Sequence, residues 1–293
     1  MKKLIYKAIN RLGYTFYNKK NREQEIRGKL EKFEVEIHKN LLLYSYKYIN
    51  LLANKFPDLS ITDAENSLKV CFEDLTFYIE SQEEFLILKE IFIDEEYKFI
   101  IKEKCVLIDI GANIGIASMY FSQFDYIQRI YAFEPVRDTY DLARKNFKEN
   151  NITKIAEFNN YGLGAEDREE NFLYNKSVKG NSGIRGKLSP SHTNRESPEI
   201  RKVQIKDVDK VLNPIIKDNR DYKIVIKMDC EGAEYEIMNR LSSNSLLNHI
   251  DIIILEWHDF KAEPLEDVLR ENNFTVFSRN LDSISGIISA VKN

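Results

Sequence analysis

The feature that most constrains the fold is a short apolar run followed by an acid and a glycine-rich turn. Residues 106–108 form an unbroken apolar run, Asp109 follows, and the turn from Gly111 to Gly115 reads Gly-x-Asn-x-Gly. Unbroken apolar runs are typical of parallel strands that are covered on both faces. Apolar residues then recur at helical spacing from position 114 to 124. The stretch therefore predicts a buried strand, a tight turn and a helix whose N-terminus can face a ligand.

Glu134 lies at the distance from this turn at which an acid can bind a ribose. It ends a second predicted strand, residues 130–134, nineteen positions after Gly115. An acid about 20 residues beyond such a turn can bind ribose hydroxyls. The turn lacks the Gly-x-Gly-x-x-Gly spacing of pyrophosphate-binding loops, which favours a nucleoside without a pyrophosphate, such as S-adenosylmethionine (SAM). The alternative is that the glycines only make the turn and bind no ligand. The position of Glu134 argues against that alternative.

The order of predicted elements indicates an α/β fold. Strands alternate with helices after Glu134, and the further predicted strands are 156–160, 224–229, 252–256, 274–277 and 286–291. This alternation predicts an open, mainly parallel sheet, in which ligands bind beyond the carboxyl ends of the strands. Six polar residues stand at such ends: Asp109, Glu134, Asn160, Asp229, Glu231 and His258. Gly162 follows in a predicted loop that could line an adenine pocket. We expect the functional site at this edge.

Composition limits the classes of function. The net charge of −4 gives no signature of nucleic-acid binding. Three widely spaced cysteines indicate a reducing compartment without a disulfide framework. No Cys-x-x-Cys or His/Cys cluster indicates a metal site, and no apolar run is long enough for a membrane span. We therefore expect a cytoplasmic protein with no metal and no nucleic-acid partner.

The N-terminal part is basic and predicted to be helical. Residues 1–30 contain nine lysines and arginines against two glutamates, a local charge of +7 (nine minus two). The helix could dock on its own domain or on a second subunit of a homo-oligomer, or it could lie on anionic lipid at the inner face of the membrane. We predict a helical extension over residues 1–65 and a catalytic domain over residues 66–293 that begins with a hairpin.

Five segments carry a resemblance to a known family: Ile108–Gly115, Ala132–Pro135, Gly180–Ile184, Ile226–Glu234 and Ile254–His258. On these segments the chain resembles the FkbM family of SAM-dependent methyltransferases, over about residues 70–291. The resemblance implies a class I methyltransferase fold, Rossmann-like, with seven strands of which the last is antiparallel. It also implies O-methylation of sugar, glycan or natural-product hydroxyls.

The resemblance further assigns residues to the cofactor, with the turn holding the methionine part and Glu134 the ribose. The complete predicted set is Asp109, Gly111, Asn113, Gly115, Glu134, Asn160, Gly162 and Asp229. We expect Gly111 to let the backbone approach the ligand, so that a larger residue there, such as valine, would abolish SAM binding and leave most of the fold intact.

A hydroxyl acceptor needs a base, and three residues compete for that role. Asp229 and Glu231 could be the base or could cap a helix, and His258 could be the base or a structural residue. An unperturbed imidazole is largely neutral at pH 7 and can accept a proton. We therefore predict His258 as the base, with Asp229 and Glu231 orienting the acceptor and the cofactor.

Two other functions are consistent with parts of the sequence. One is a catalytically inactive SAM-fold scaffold in a membrane-associated polysaccharide assembly. The other is a nicotinamide-dependent reductase, which the missing third glycine disfavours. We also expect Lys227 and Glu256 to form an ion pair across neighbouring strands.

Overall fold

The computed structural model describes residues 19–152, 155–181 and 199–293. Most of the predicted basic helix of residues 1–30 lies outside these ranges. None of the helices within the described ranges is both long enough and apolar enough to span a membrane.

The N-terminal part combines helices with a small antiparallel sheet of order β1-β2-β3. Its elements are α1 (Lys19–Leu30), α2 (Lys39–Tyr44), α3 (Tyr46–Lys55), β1 (Ser60–Ala64), β2 (Ser67–Phe72), β3 (Leu75–Ile79) and α4 (Gln82–Phe92). Ile49 and Leu52 of α3 are buried in the same apolar core as Phe72 and Phe77 of the sheet. The turn between the paired strands β1 and β2 lies at residues 65–66, and the predicted division of the chain at residue 65 stays a prediction.

A seven-stranded sheet forms the centre of the molecule, in the order β12-β13-β11-β10-β4-β5-β6. Its strands are β4 (Cys105–Ile110), β5 (Ile127–Phe133), β6 (Ala156–Asn159), β10 (Lys223–Met228), β11 (Ile252–His258), β12 (Phe274–Asn280) and β13 (Ser285–Lys292). β13 pairs antiparallel with both of its neighbours, and the other pairs are parallel. The predicted α/β fold with an antiparallel last strand is confirmed.

Helices cover both faces of this sheet. They are α5 (Ile116–Phe121), α6 (Arg137–Glu149), α7 (Val208–Asp218), α8 (Glu234–Ser243) and α9 (Glu263–Glu271). Every residue of β4 is buried, as expected of a central parallel strand covered on both sides. Its side chains alternate between two apolar cores, with Leu107 in one and Val106 and Ile108 in the other. The covered sheet fixes the strand ends that carry the site.

A second small sheet lies above the carboxyl ends of the central strands, and we call it the roof sheet. It consists of β7 (Gly162–Gly164), β8 (Arg168–Tyr174) and β9 (Glu199–Asp207), in the order β7-β9-β8. Phe172 and Ile205 belong to the apolar cluster beneath it, which includes Val136 beyond the end of β5. The residues around Gly162, which the sequence predicted as a loop, form strand β7. The prediction missed this strand because two of its three residues are glycines, which lack the side chains that mark strands in a sequence.

Candidate functional site

Close contacts with other parts of the chain require glycine at two positions of the turn after β4. Gly111 and Gly115 have φ angles of +77° and +86°, a backbone conformation that glycine adopts without strain. A Cβ atom on Gly111 would lie 1.7 Å from the backbone oxygen of Asp229, and one on Gly115 would lie 2.3 Å from the ring of Phe147. The expectation that a larger residue at position 111 leaves the fold intact is therefore wrong, because the clash is with backbone at the end of β10.

Glu134 lies between this turn and the start of α6. Its side chain is buried, Oε2 accepts the backbone N–H of Asn113 at 3.1 Å, and Oε1 accepts that of Val136 at 2.8 Å. Burial raises the pKa of Glu134 to about 7, although both backbone hydrogen bonds act to lower it. A carboxylate offers about four acceptor positions, so Glu134 retains capacity for two further donors, as the hydroxyls of a ribose require.

A small cavity of about 50 Å³ separates the turn from the roof sheet. Five of the predicted cofactor residues line it, namely Gly111, Asn113, Glu134, Gly162 and Asp229. Leu163, Phe172 and Ile205 add an apolar wall. The side-chain oxygen of Asn113 is buried and has no hydrogen-bond partner among the described residues. Buried polar atoms are rarely left unpaired, so this oxygen fits a site whose donor comes from a bound nucleoside.

The other three predicted cofactor residues, Asp109, Gly115 and Asn160, are not among the residues that line this cavity. Asp109 is fully buried, accepts the hydroxyl of Ser118 at 2.6 Å and lies 3.3 Å from the ammonium of Lys227. Gly115 begins α5. The amide of Asn160 donates to the backbone oxygens of Glu134 and Pro135, at 3.0 and 3.1 Å. Direct contact between these three residues and a cofactor stays a prediction.

Lys227 binds the turn after β4, so the predicted ion pair with Glu256 is wrong. Its ammonium donates to the backbone oxygen of Gly111 at 3.0 Å, next to Asp109, which faces it across the paired strands β4 and β10. Burial acts to lower the pKa of Lys227, but the charges of Asp109 and Asp229 outweigh it and the pKa is raised. This lysine ties the turn to β10.

His258, the last residue of β11, lies among four carboxylates. Its Nδ1 is 3.2 Å from Oε1 of Glu234, a fully buried residue, and its Nε2 is 3.5 Å from Glu256, 3.8 Å from Glu231 and 3.9 Å from Asp229. Glu234 also accepts the backbone N–H groups of residues 230 and 232. The same carboxylate therefore positions the histidine and the turn that carries Asp229 and Glu231.

This environment corrects the expectation of a neutral His258. Burial acts to lower its pKa, but the hydrogen bonds to Glu234 and Glu256 and the charge of Glu231 outweigh that effect and raise the pKa to about 12. An imidazole with that pKa is protonated at pH 7 and cannot accept a proton. The identity of the base stays a prediction, and the protonation of His258 argues against this residue as the base.

Glu231 remains a candidate for the base. It lines the cavity and lies in the left-handed region of backbone space, with φ of +51°. Burial raises its pKa well above the usual value, and Asp229 and Glu234 raise it further against the opposing charge of His258. A carboxylate with a raised pKa is a stronger base than an ordinary one once it is ionised.

Tyr97 is a site residue that no sequence signal indicated. Its hydroxyl lies 3.2 Å from Oδ2 of Asp229 and 3.2 Å from Oε2 of Glu256, and its side chain is buried. Burial raises its pKa well above the usual value, and the two carboxylates add to the effect. It stays a neutral donor that links two acids. It lies between α4 and β4 in a stretch without periodicity or motif.

One group of side chains could hold a metal ion. Asp229, Glu231 and His258 each offer a ligand atom, and these atoms lie within 4.8 Å of one another. Their spacing suits a divalent cation, but a protonated His258 already supplies a positive charge at the same place.

Comparison with known proteins identifies related sequences. Residues 109–276 match the family model described as methyltransferase FkbM domain. The chain is 28% identical over 204 residues to "Methyltransferase 1" of Beauveria bassiana, covering 65% of this chain and 80% of that protein. It is 25% identical over 234 residues to "AMB antimetabolite synthetase AmbE" of Pseudomonas aeruginosa, covering 66% of this chain but only 11% of that much longer protein.

A crystal structure of methyltransferase FkbM from Methylobacillus flagellatus aligns over 92% of this chain and 59% of that one, with 11% identity and a TM-score of 0.45.

Proposed function

The chain belongs to the FkbM methyltransferase family, whose cofactor is SAM, and from that premise we propose that it methylates a hydroxyl of a sugar, a glycan or a related natural product. The observation that carries the proposal is the cluster of carboxylates around His258 beside the cofactor cavity. A hydroxyl is a poor nucleophile at neutral pH, so its methylation gains from a nearby base.

The residues that line the cavity fit the cofactor. Glu134 would accept hydrogen bonds from the ribose, and the unpartnered oxygen of Asn113 would accept one more. The apolar side chains of Leu163, Phe172 and Ile205 suit a flat base. When bound, SAM supplies a methyl group on a positively charged sulfur.

Glu231 is the residue that we propose as the base. It lies between the cavity and His258, and burial raises its pKa well above the usual value, so that its ionised form is a stronger base than an ordinary carboxylate. The positive charge of His258, which Glu234 holds in place, attracts Glu231, Asp229 and Glu256 and keeps these carboxylates together. The neutral hydroxyl of Tyr97 lies 3.2 Å from Asp229 and from Glu256 and can donate its hydrogen bond to either carboxylate.

The chemistry of the cleft also supports the acceptor class. Carboxylates accept hydrogen bonds, and a sugar presents several hydroxyl donors. The same carboxylates repel an acceptor that carries phosphate or carboxylate groups next to the reacting hydroxyl. A neutral polyhydroxylated acceptor therefore fits this cleft better than an anionic one.

The experiment is a transfer assay with methyl-labelled SAM against neutral sugars, glycans and lipid-linked glycans. The expected product is a methyl ether, which survives alkali, whereas a methyl ester does not. Glu231→Gln should lower turnover by about 10²-fold or more with little change in SAM affinity. Glu169→Gln, on an exposed edge of the roof sheet, is the matched control. An alkali-labile product would contradict O-methylation of a hydroxyl, and SAM binding without transfer to any acceptor would favour the inactive scaffold.

A further inference from the structure

A short segment after β8 closes one side of the cofactor cavity. It comprises residues 175–181, and we call it the strap. It begins with a turn in which Val178 donates its backbone N–H to Asn175, and it continues into a 3-10 turn at Lys179–Asn181. We propose that Lys179 is a positioning residue for SAM, because its buried ion pairs hold the strap in place as a wall of the cofactor site.

Lys179 is anchored by two carboxylates of the N-terminal part. Its ammonium lies 2.7 Å from Oε1 of Glu84 and 2.8 Å from Oε2 of Glu80. The side chains of Lys179 and Glu84 are 1% and 0% exposed. Buried charges are tolerated when they are paired with good geometry, and removal of one partner leaves the other uncompensated. The strap is therefore attached at a defined point.

Glu84 is itself rigidly held. It forms a capping box with Ser81 at the start of α4, in which Oε2 accepts the backbone N–H groups of Glu80 and Ser81. Its second oxygen is left for Lys179. The helix N-terminus fixes the carboxylate, so the lysine is bound to a point that does not move with the strap.

The strap also contacts the SAM-binding turn. Lys179 and Gly180 line the cavity together with Asn113 and Glu134. The backbone N–H of Gly180 donates to Oε2 of Glu83 at 2.9 Å, and a Cβ atom on Gly180 would lie 3.5 Å from the amide nitrogen of Asn113. A shift of the strap would therefore change the wall that faces Asn113 and Glu134, two of the residues predicted to bind SAM.

The small volume of the cavity indicates why the attachment of the strap through Lys179 should matter for SAM binding. Its volume of about 50 Å³ is below the ~300 Å³ at which ligand pockets begin. The strap and the roof sheet must shift outward to admit SAM and then return to cover it. An anchor that restores the closed position slows the escape of bound cofactor. We therefore expect loss of Lys179 to act mainly on the dissociation rate of SAM.

The test compares Lys179→Met, Lys179→Arg and Lys176→Met in the full chain. Lys176 is a matched control because it belongs to the same strap and lies 3.4 Å from Glu80, yet is 61% exposed. Calorimetry and stopped-flow binding should show SAM affinity lowered at least about tenfold in Lys179→Met, because the closed position of the strap would lose at least one hydrogen bond between charged groups. Most of the change should be in the dissociation rate. Lys179→Arg, which keeps the charge, and Lys176→Met should bind as the wild type does.

A second variant separates positioning from folding. In Lys179→Met the carboxylate of Glu84 is left buried without its partner, and the protein could unfold for that reason alone. Glu84→Gln/Lys179→Met removes both charges and keeps a capping side chain at position 84. We expect this double variant to unfold near the wild-type temperature and still to bind SAM weakly. Wild-type SAM affinity in the folded double variant would overturn the proposal. The readout is cofactor binding alone, so it is independent of the acceptor that the proposed function names.

Discussion

The buried Glu134 should make SAM binding depend on pH in a range where few carboxylates titrate. Its pKa is raised to about 7 by burial, and only the ionised form can accept hydrogen bonds from both ribose hydroxyls. With a pKa near 7, about one molecule in eleven carries the carboxylate at pH 6 and about ten in eleven at pH 8. The apparent affinity for SAM should therefore rise about tenfold from pH 6 to pH 8.

Glu134→Gln tests this reasoning, because an amide does not titrate. At pH 8 the variant should bind SAM about 10- to 100-fold more weakly than the wild type, the effect of losing hydrogen bonds to a charged group. At pH 6 the difference should shrink by about tenfold, since most of the wild type is then protonated as well. Any titration of SAM itself affects both proteins equally and cancels in the ratio.

The assay is calorimetry at pH 6, 7 and 8 in two buffers with different enthalpies of ionisation. Binding to the wild type at pH 6 should release nearly one more proton than binding to the variant, because SAM selects the carboxylate form. Glu157→Gln, which replaces an exposed carboxylate on the neighbouring strand β6, is the control and should behave as the wild type does. A constant ratio of affinities across this pH range would refute the assignment of Glu134 to the ribose.

Three further predictions follow from other parts of the structure. The raised pKa of His258 means that its protonation stabilises the fold fully below its usual value of about 6.5, and that this stabilisation is lost as the pH rises toward about 12. The wild type should therefore lose more thermal stability between pH 7 and pH 9 than His258→Gln, and equal losses would contradict the protonated imidazole. Gly111→Ala should unfold at a markedly lower temperature, because its Cβ meets the backbone of Asp229, whereas Gly28→Ala in α1, with no atom within 4 Å of its Cβ, should be neutral or stabilising by up to about 1 kcal/mol. If the basic N-terminus lies on anionic lipid, the full chain should sediment with anionic liposomes in a salt-sensitive manner and a chain lacking residues 1–30 should not; equal, salt-insensitive sedimentation of both would rule this out.

The sheet and the glycine-rich turn after β4 were predictable because their signals are local. The apolar run of β4 and the position of Glu134 each lie within one short segment, and a single buried strand followed by a glycine turn has few alternative folds. The same holds for the strand ends that carry Asp229 and His258. Parallel strands place their carboxyl ends at one edge, so these residues meet without any detailed knowledge of packing.

The errors arise where distant segments meet. The need for glycine at position 111 comes from the backbone of Asp229, which the sequence cannot show beside it. The charge of His258 is set by carboxylates from β11, α8 and the turn before α8, and no single segment contains enough of them to indicate a protonated imidazole. Lys179 pairs with glutamates nearly a hundred positions earlier, and a lone lysine in a polar stretch carries no signal of burial.

The roof sheet enters and leaves the fold at one place, since β7 pairs with β9 from Gly162 opposite Ile205 to Gly164 opposite Asp207. A segment whose two ends are neighbours can be lengthened, shortened or replaced without altering the order of the central strands, and the entropy of closing a longer loop grows only slowly with its length. The length of the segment between β7 and β9 can thus change without a change in the central sheet that carries the site.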